Sequence, residues 1–215
     1  MKKVVVILVA IMAVTIGVFA QNSNTAEIDA ELCRIGNEDQ EIRFKLMAAM
    51  QNNSSDLAAI RGEMISSDAR NQTYVFNLLD TQGWLENLST CANRAIFFVI
   101  QHASQSFQEK YFQLVKEKAE QGIVQKSDAA MLEDRILMRS GKRQKYGTQT
   151  VPHKTKDGGD VTIIWPIENA EKIDELRASV GLPPMTLYLQ LVESQLNRKI
   201  IWDKNLTIDE LNVSN

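Results

Sequence analysis

A mainly α fold, a single-domain helical bundle carrying one small β-hairpin at about residues 145–166, is what this sequence predicts. Three observations lead there. Apolar residues recur at spacings of three and four through most of the chain, the period of a helix with one buried face. That period vanishes between Gln144 and Pro166, where two β-prone runs flank Asp157-Gly158-Gly159. Finally, Ser, Asn, Asp, Gly and Pro cluster where one periodic stretch gives way to the next.

The first residues are read apart from the bundle. Lys2 and Lys3 precede an unbroken apolar run from Val4 to Ala20, with small residues before the polar stretch that starts at Gln21. This is the layout of a secretory signal peptide, so residues 1–20 are expected to be removed on export to the periplasm or beyond. A spanning helix needs roughly 20 apolar residues, which the run just misses, and no later segment approaches that length. The organisation expected is therefore a signal peptide at 1–20, a helical domain with a hairpin insert at 21–202 and a loosely held polar tail at 203–215. No membrane contact is expected after cleavage.

The elements follow in order. Ile28, Leu32, Ile35, Ile42, Leu46 and Ala49 mark a helix from about Thr25 to Gln51. Leu57, Ile60, Met64, Tyr74 and Leu78 mark a second, after the Asn52 to Ser55 cluster. Gly83-Trp84 ends it, and Leu88, Ala92, Ala95 and Val99 form the stripe of a third. Phe107, Tyr111 and Leu114 open a fourth that stops at Gly122, and a fifth runs from Lys126 to Arg139. Beyond the hairpin, Ile173, Leu176 and Val180 make a short helix, and Pro183-Pro184 starts a last one through about Arg198.

Charge excludes one class of partner. Twenty-four Lys and Arg against 27 Asp and Glu give a net charge of -3. No clustered basic face exists for a phosphate backbone, so no nucleic acid is expected. Two cysteines, Cys33 and Cys91, stand in predicted helices, and either a bridge or two separate thiols is compatible with their spacing. The Gly-x-Ser-x-Gly elbow, the phosphate loop, the dinucleotide glycine fingerprint and the His-Glu-x-x-His zinc motif are all missing from the sequence. No cofactor and no metal is expected.

The informative residues are the polar ones that interrupt apolar seams. Asp39, Asn71, His102 and Asp134 each occupy a position where the stripe of its own helix calls for an apolar side chain. A carboxylate buried alone costs several kcal/mol, so both aspartates require partners. Arg43 stands one turn after Asp39, at the spacing that lets the two side chains meet. Arg135 follows Asp134 and points about 100° away around the helix, toward another element.

Asp39, Asp134 and His102 are also legitimate metal ligands, but the lack of a His-Glu-x-x-His or Glu-x-x-His pair disfavours a metal site as a third reading. Two readings compete: a structural network that sets helix register, and a solvent-entered pocket for a small polar or anionic ligand. In the second, His102 is the general base, Asp39 and Asp134 are its catalytic partners, and Arg43 and Arg135 bind charge. Gln144, Tyr146, Thr148 and Gln149 around Gly147 offer neutral donors and acceptors, as a polar lid or as a hairpin docked by hydrogen bonds.

Several stretches together resemble a bacterial family catalogued only as a domain of unknown function. They are Asp39-Gln40 with Arg43, then Asn71, Gly83-Trp84, Gln101-His102-Ala103, Phe107-Gln108 and Asp134-Arg135. Gly141-x-x-Gln144-x-Tyr146-Gly147-Thr148-Gln149 follows, and Pro166-Ile167-Glu168, Ile173-Asp174 with Arg177, and Val180 to Pro183 complete the set. The likeness spans roughly Ala30 to Leu189 and departs from the family at Leu85, where a proline is expected. It adds Gln101 to the candidate ligand-binding residues Arg43, Asn71, Arg135, Gln144, Tyr146 and Gln149, and implies no activity.

Overall fold

A computed structural model describes residues 2–154, 158–196 and 199–213, with side chains at 24–154, 158–194 and 199–211. The side chains of the expected signal peptide, Asp157 of the hairpin turn and Arg198 at the end of the last helix lie outside the described residues. Among those described, eight α-helices and three strands make a mainly α fold. The chain divides into two compact units, Met1–Ala103 and Ser104–Asn215, within the stretch read from sequence as one domain.

The first unit holds α1 (Lys2–Gln51), α2 (Leu57–Gln82) and α3 (Thr90–His102). The seam of α1 buries Ile28, Leu32, Ile35, Ile42 and Ala49, as its spacing predicts. α3 buries Ala92, Ala95, Ile96, Phe97, Val99 and Ile100 on a wider arc, which makes it the most enclosed of the three.

Pairings along α1 give the helix directions. Arg43 meets Asp68 on α2, while Lys45 feels Glu63 and Tyr74 feels Glu31, so α1 and α2 run antiparallel. Against α3 the numbers rise together: Asp29 accepts from Ser89, Gly36 faces Ala95, and Asp39 meets His102. α1 and α3 are therefore parallel.

The start of α3 is fixed from two sides. Ser89 caps it by accepting from the Ala92 amide at 3.2 Å. Asp29 in turn accepts from the Ser89 amide and hydroxyl at 2.6 and 2.9 Å. Trp84, buried in the preceding turn, donates from Nε1 to Asn93 Oδ1 at 2.7 Å.

The second unit opens with the antiparallel pair α4 (Gln105–Glu120) and α5 (Lys126–Arg139), clipped by Arg139 donating to Gln108 at 3.0 Å. α5 ends as its glycine predicts: Gly141 takes a positive φ of 66° and the Lys142 amide reaches back to the Leu137 carbonyl at 2.8 Å.

The expected hairpin forms from β1 (Thr150–Lys154) and β2 (Asp160–Ile164). A third strand, β3 (Ile200–Ile201), which the periodicity reading did not contain, lies parallel to β2 on its other edge. Two residues are too short a run to announce themselves by alternation. β2, now central, sends Ile164 into a cluster with Ile167, Ile173, Met185 and Ile200, and Val161 and Ile163 into another with Leu211. That split is the two-residue period of a strand covered on both faces. The covers are α6 (Ile173–Ser179), α7 (Met185–Leu196) and α8 (Ile208–Val213). Residues 203–215, read from sequence as a polar tail, thus include α8 with its buried Leu211.

Candidate functional site

The polar residues that interrupt the seams fall into two clusters, one in each unit. In the first, Asp39 sits in the C-terminal half of α1 and is 1 % exposed. Its Oδ1 forms an ion pair with Arg43 at 2.9 Å and accepts from Nδ1 of His102 at 3.0 Å, its Oδ2 accepts from Gln40 at 2.8 Å, and its backbone carbonyl accepts from Arg43 at 3.0 Å. Because an ionised carboxylate oxygen only accepts, Nδ1 of His102 is the donor of this pair.

His102 ends α3 and is 20 % exposed, with no hydrogen bond from Nε2 to a described residue. One face of its ring stacks on Phe98, one turn earlier, and the Arg94 guanidinium lies 5.2 Å over the far Phe98 ring. The imidazole is thus held by a carboxylate at one nitrogen and by an aromatic wall at its face.

Arg43 is engaged at both terminal nitrogens. Besides Asp39, it donates through its second terminal nitrogen to both oxygens of Asp68 at 3.0 Å. Asp68 was not legible from the sequence: it stands beside the seam of α2, next to the buried Ser67. Asn71, buried as expected, bonds to that Ser67 at 3.4 Å and not to the Asp39 cluster. Gln101 is buried beside His102. Among the described residues no group of three or more His, Cys, Asp or Glu could hold a metal ion.

In the second unit, Asp134 is completely buried on α5. It accepts from the amides of Lys145 at 2.7 Å, Tyr146 at 3.1 Å and Thr148 at 3.0 Å, and from the Thr148 hydroxyl at 2.9 Å. Burial pushes its carboxyl above the usual carboxylate range, and these donors oppose that push. Lys145 also pairs with Glu133, which holds its ammonium above its usual range.

The carbonyls of the same segment are bound from the other side. Arg177, with no exposed surface, donates to Tyr146 O at 2.7 Å and to Pro183 O at 2.6 Å, and Tyr188 donates to Thr148 O at 2.9 Å. The guanidinium lies 4.5 Å over the Tyr188 ring. Burial holds Arg177 below its usual range and pushes the Tyr146 and Tyr188 hydroxyls up.

Gln144 and Gln149 close the loop on itself. Gln144 Nε2 donates to Gln149 O at 3.0 Å and Trp165 O at 2.6 Å, while Gln149 N donates back to Gln144 Oε1 at 2.8 Å. Arg135 is half-buried on α5. The Gln-x-Tyr-Gly-Thr-Gln stretch is therefore a loop whose Lys145, Tyr146 and Thr148 amides are gathered by Asp134 and whose carbonyls are held by Arg177 and Tyr188. Arg177 and Tyr188, which complete the arrangement, carry no local signal beyond the family resemblance that includes Arg177.

Among the described residues no helix is long and apolar enough to cross a membrane. No curated protein and no solved structure matches the chain. The model of a family of unknown function, DUF6624, matches residues 26–201, and the chain belongs to that family.

Proposed function

We propose that the first unit carries a proton-transfer site for a small polar ligand, with His102 as general base and Asp39 as the carboxylate that orients it. The reading rests on one observation: Nδ1 of His102 is tied to a buried Asp39 while Nε2, on a partly exposed ring, makes no hydrogen bond to a described residue. A neutral imidazole fixed in one tautomer takes a proton from a hydroxyl at Nε2, and the carboxylate at Nδ1 stabilises the imidazolium that results. The attacking oxygen then adds to the electrophilic carbon or phosphorus of the ligand, and the proton returns to the leaving group. That is hydrolytic or transfer chemistry. In this reading Arg43 and Asp68 position Asp39, and Asp134, Arg135, Gln144, Tyr146 and Gln149 shape the second unit.

The rival reading, an exported interaction module in which the same residues only lock the bundle, is favoured by the partners held at both Asp39 carboxylate oxygens and both terminal nitrogens of Arg43. The two separate on His102→Asn, whose side-chain amide preserves a donor to Asp39 but has no basic nitrogen. Hydrolysis of 4-nitrophenyl acetate by the parent, reduced about 100-fold or more in His102→Asn with an unchanged melting temperature, supports the general base. Rates equal to buffer in both proteins, with stability lost in His102→Ala and kept in His102→Asn, leave the lock.

Export belongs to the same proposal. Residues 1–20 are read as a cleaved signal peptide because two lysines precede a long apolar run. N-terminal sequencing of the chain recovered from a bacterial periplasmic fraction tests this, with a first residue near Gln21 expected and an intact Met1 overturning it.

A further inference from the structure

We propose that Cys33 and Cys91 are a disulfide-forming pair that staples α1 to α3. The parallel register of these helices carries the inference. Asp29 meets Ser89 at one level, Gly36 meets Ala95 two turns on, and Cys33 and Cys91 occupy the level between. The Gly36 contact leaves no space for a side chain, since a Cβ built there would lie 2.9 Å from Ala95 Cβ. One turn before such a contact the two helix backbones are still close, which is what the short Cα separation of a disulfide demands.

Side-chain placement agrees. Cys33 Sγ lies 3.5 Å from Ser89 Oγ, the cap at the head of α3 two residues before Cys91, and the Cys33 thiol is near enough to shift the titration of the Cys91 thiol. Cys91 is exposed and open to a reagent, whereas Cys33 is half-buried behind it.

The oxidant is a low-molecular-weight disulfide. The Cys91 thiol loses its proton and attacks one sulfur, forming a mixed disulfide and releasing one thiol. The Cys33 thiol then loses its proton, attacks Cys91 Sγ and releases the second thiol. Two protein thiols are oxidised and one disulfide is reduced to two thiols. The neighbouring Cys33 sulfur, toward which the Cys91 thiol holds its proton, and partial burial push the Cys91 thiol up to about 11, so the uncatalysed first step accelerates as the solution is made alkaline.

The test uses the full chain in mild detergent, incubated with oxidised glutathione, trapped with iodoacetamide and weighed intact. The expected product has lost two hydrogens, carries no adduct, runs as a monomer without reductant and melts roughly 5–15 °C higher until dithiothreitol is added. Two glutathione or two iodoacetamide adducts, or a disulfide-linked dimer, would overturn the proposal. Cys91→Ser, at an exposed position, provides the control: Cys33 then ends with a single adduct and the melting temperature does not rise. A rise that persists in this variant also counts against the staple.

Discussion

Gly36 on α1 faces Ala95 on α3 so closely that a Cβ added to the glycine would stand 2.9 Å from the alanine Cβ and 3.3 Å from its Cα. Neither atom can rotate away, so any side chain at position 36 must push two parallel helices apart. The contact lies one turn from Asp39, which makes it part of what holds Asp39 against His102.

The first prediction follows as a matched pair of substitutions. Gly→Ala in a helix ordinarily gains roughly 0.5–1 kcal/mol from reduced backbone freedom. At Gly62 on α2, where an added Cβ meets nothing within 4 Å, Gly62→Ala should show that gain as a higher denaturation midpoint. At Gly36 overpacking wins, and Gly36→Ala should lose about 1–3 kcal/mol. Urea denaturation of both variants gives opposite signs if the helices are packed as described, and equal signs if they are not.

Asp134 gathers four donors into one buried carboxylate, which makes it sensitive to an isosteric change. Asp134→Asn keeps the shape but turns one acceptor into a donor facing the Thr148 or Lys145 amide. Leaving buried donors unpaired should cost about 2–4 kcal/mol. Hydrogen exchange should localise the loss: the amides of Lys145, Tyr146 and Thr148 lose protection before the helices of the first unit do. Uniform loss across both units would contradict a local role.

Gly147 combines a positive φ of 68° with a crowded environment, since a Cβ there would lie 2.9 Å from Ile167 Cδ1 and 3.2 Å from Met185 Cε. Backbone strain and the displacement of two core side chains act in the same direction. Gly147→Ala should therefore be worse than either effect alone, about 2–4 kcal/mol in urea denaturation. Gly158, with a φ of 86° and open space around it, should lose less than half as much on the same change.

What was legible in advance and what was not divides on physical grounds. A helix announces its buried face through its own period, so Asp39, Asn71, His102 and Asp134 could be picked as polar residues on apolar seams, and all but the partly exposed His102 are buried. The period carries no information about which helix lies opposite. Asp68, Arg177 and Tyr188 act on residues 25, 31 and 40 positions away, and β3 exists only because β2 offers it an edge. The mainly α architecture was therefore readable, whereas the parallel register of α1 and α3 and the two-sided clamp on the Tyr146–Thr148 loop were not.

That clamp has a consequence in alkali. Burial pushes the Tyr188 hydroxyl above its ordinary range, so the folded protein holds this proton more tightly than the unfolded chain, whose tyrosines ionise near 10. The stability linked to the group is complete below that pH and is lost as pH rises toward and through the higher folded value. Stability above about pH 10 should fall with a slope to which Tyr188 adds up to about 1.4 kcal/mol per pH unit. Tyr188→Phe removes a buried donor to Thr148 O, costing about 1 kcal/mol at neutral pH, yet its decline in alkali should be shallower. The two denaturation curves therefore converge as pH increases. Curves that stay parallel from neutral to strongly alkaline pH would show that Tyr188 ionises as freely in the folded protein as in the unfolded chain, and the loop would then lack the enclosure described for it.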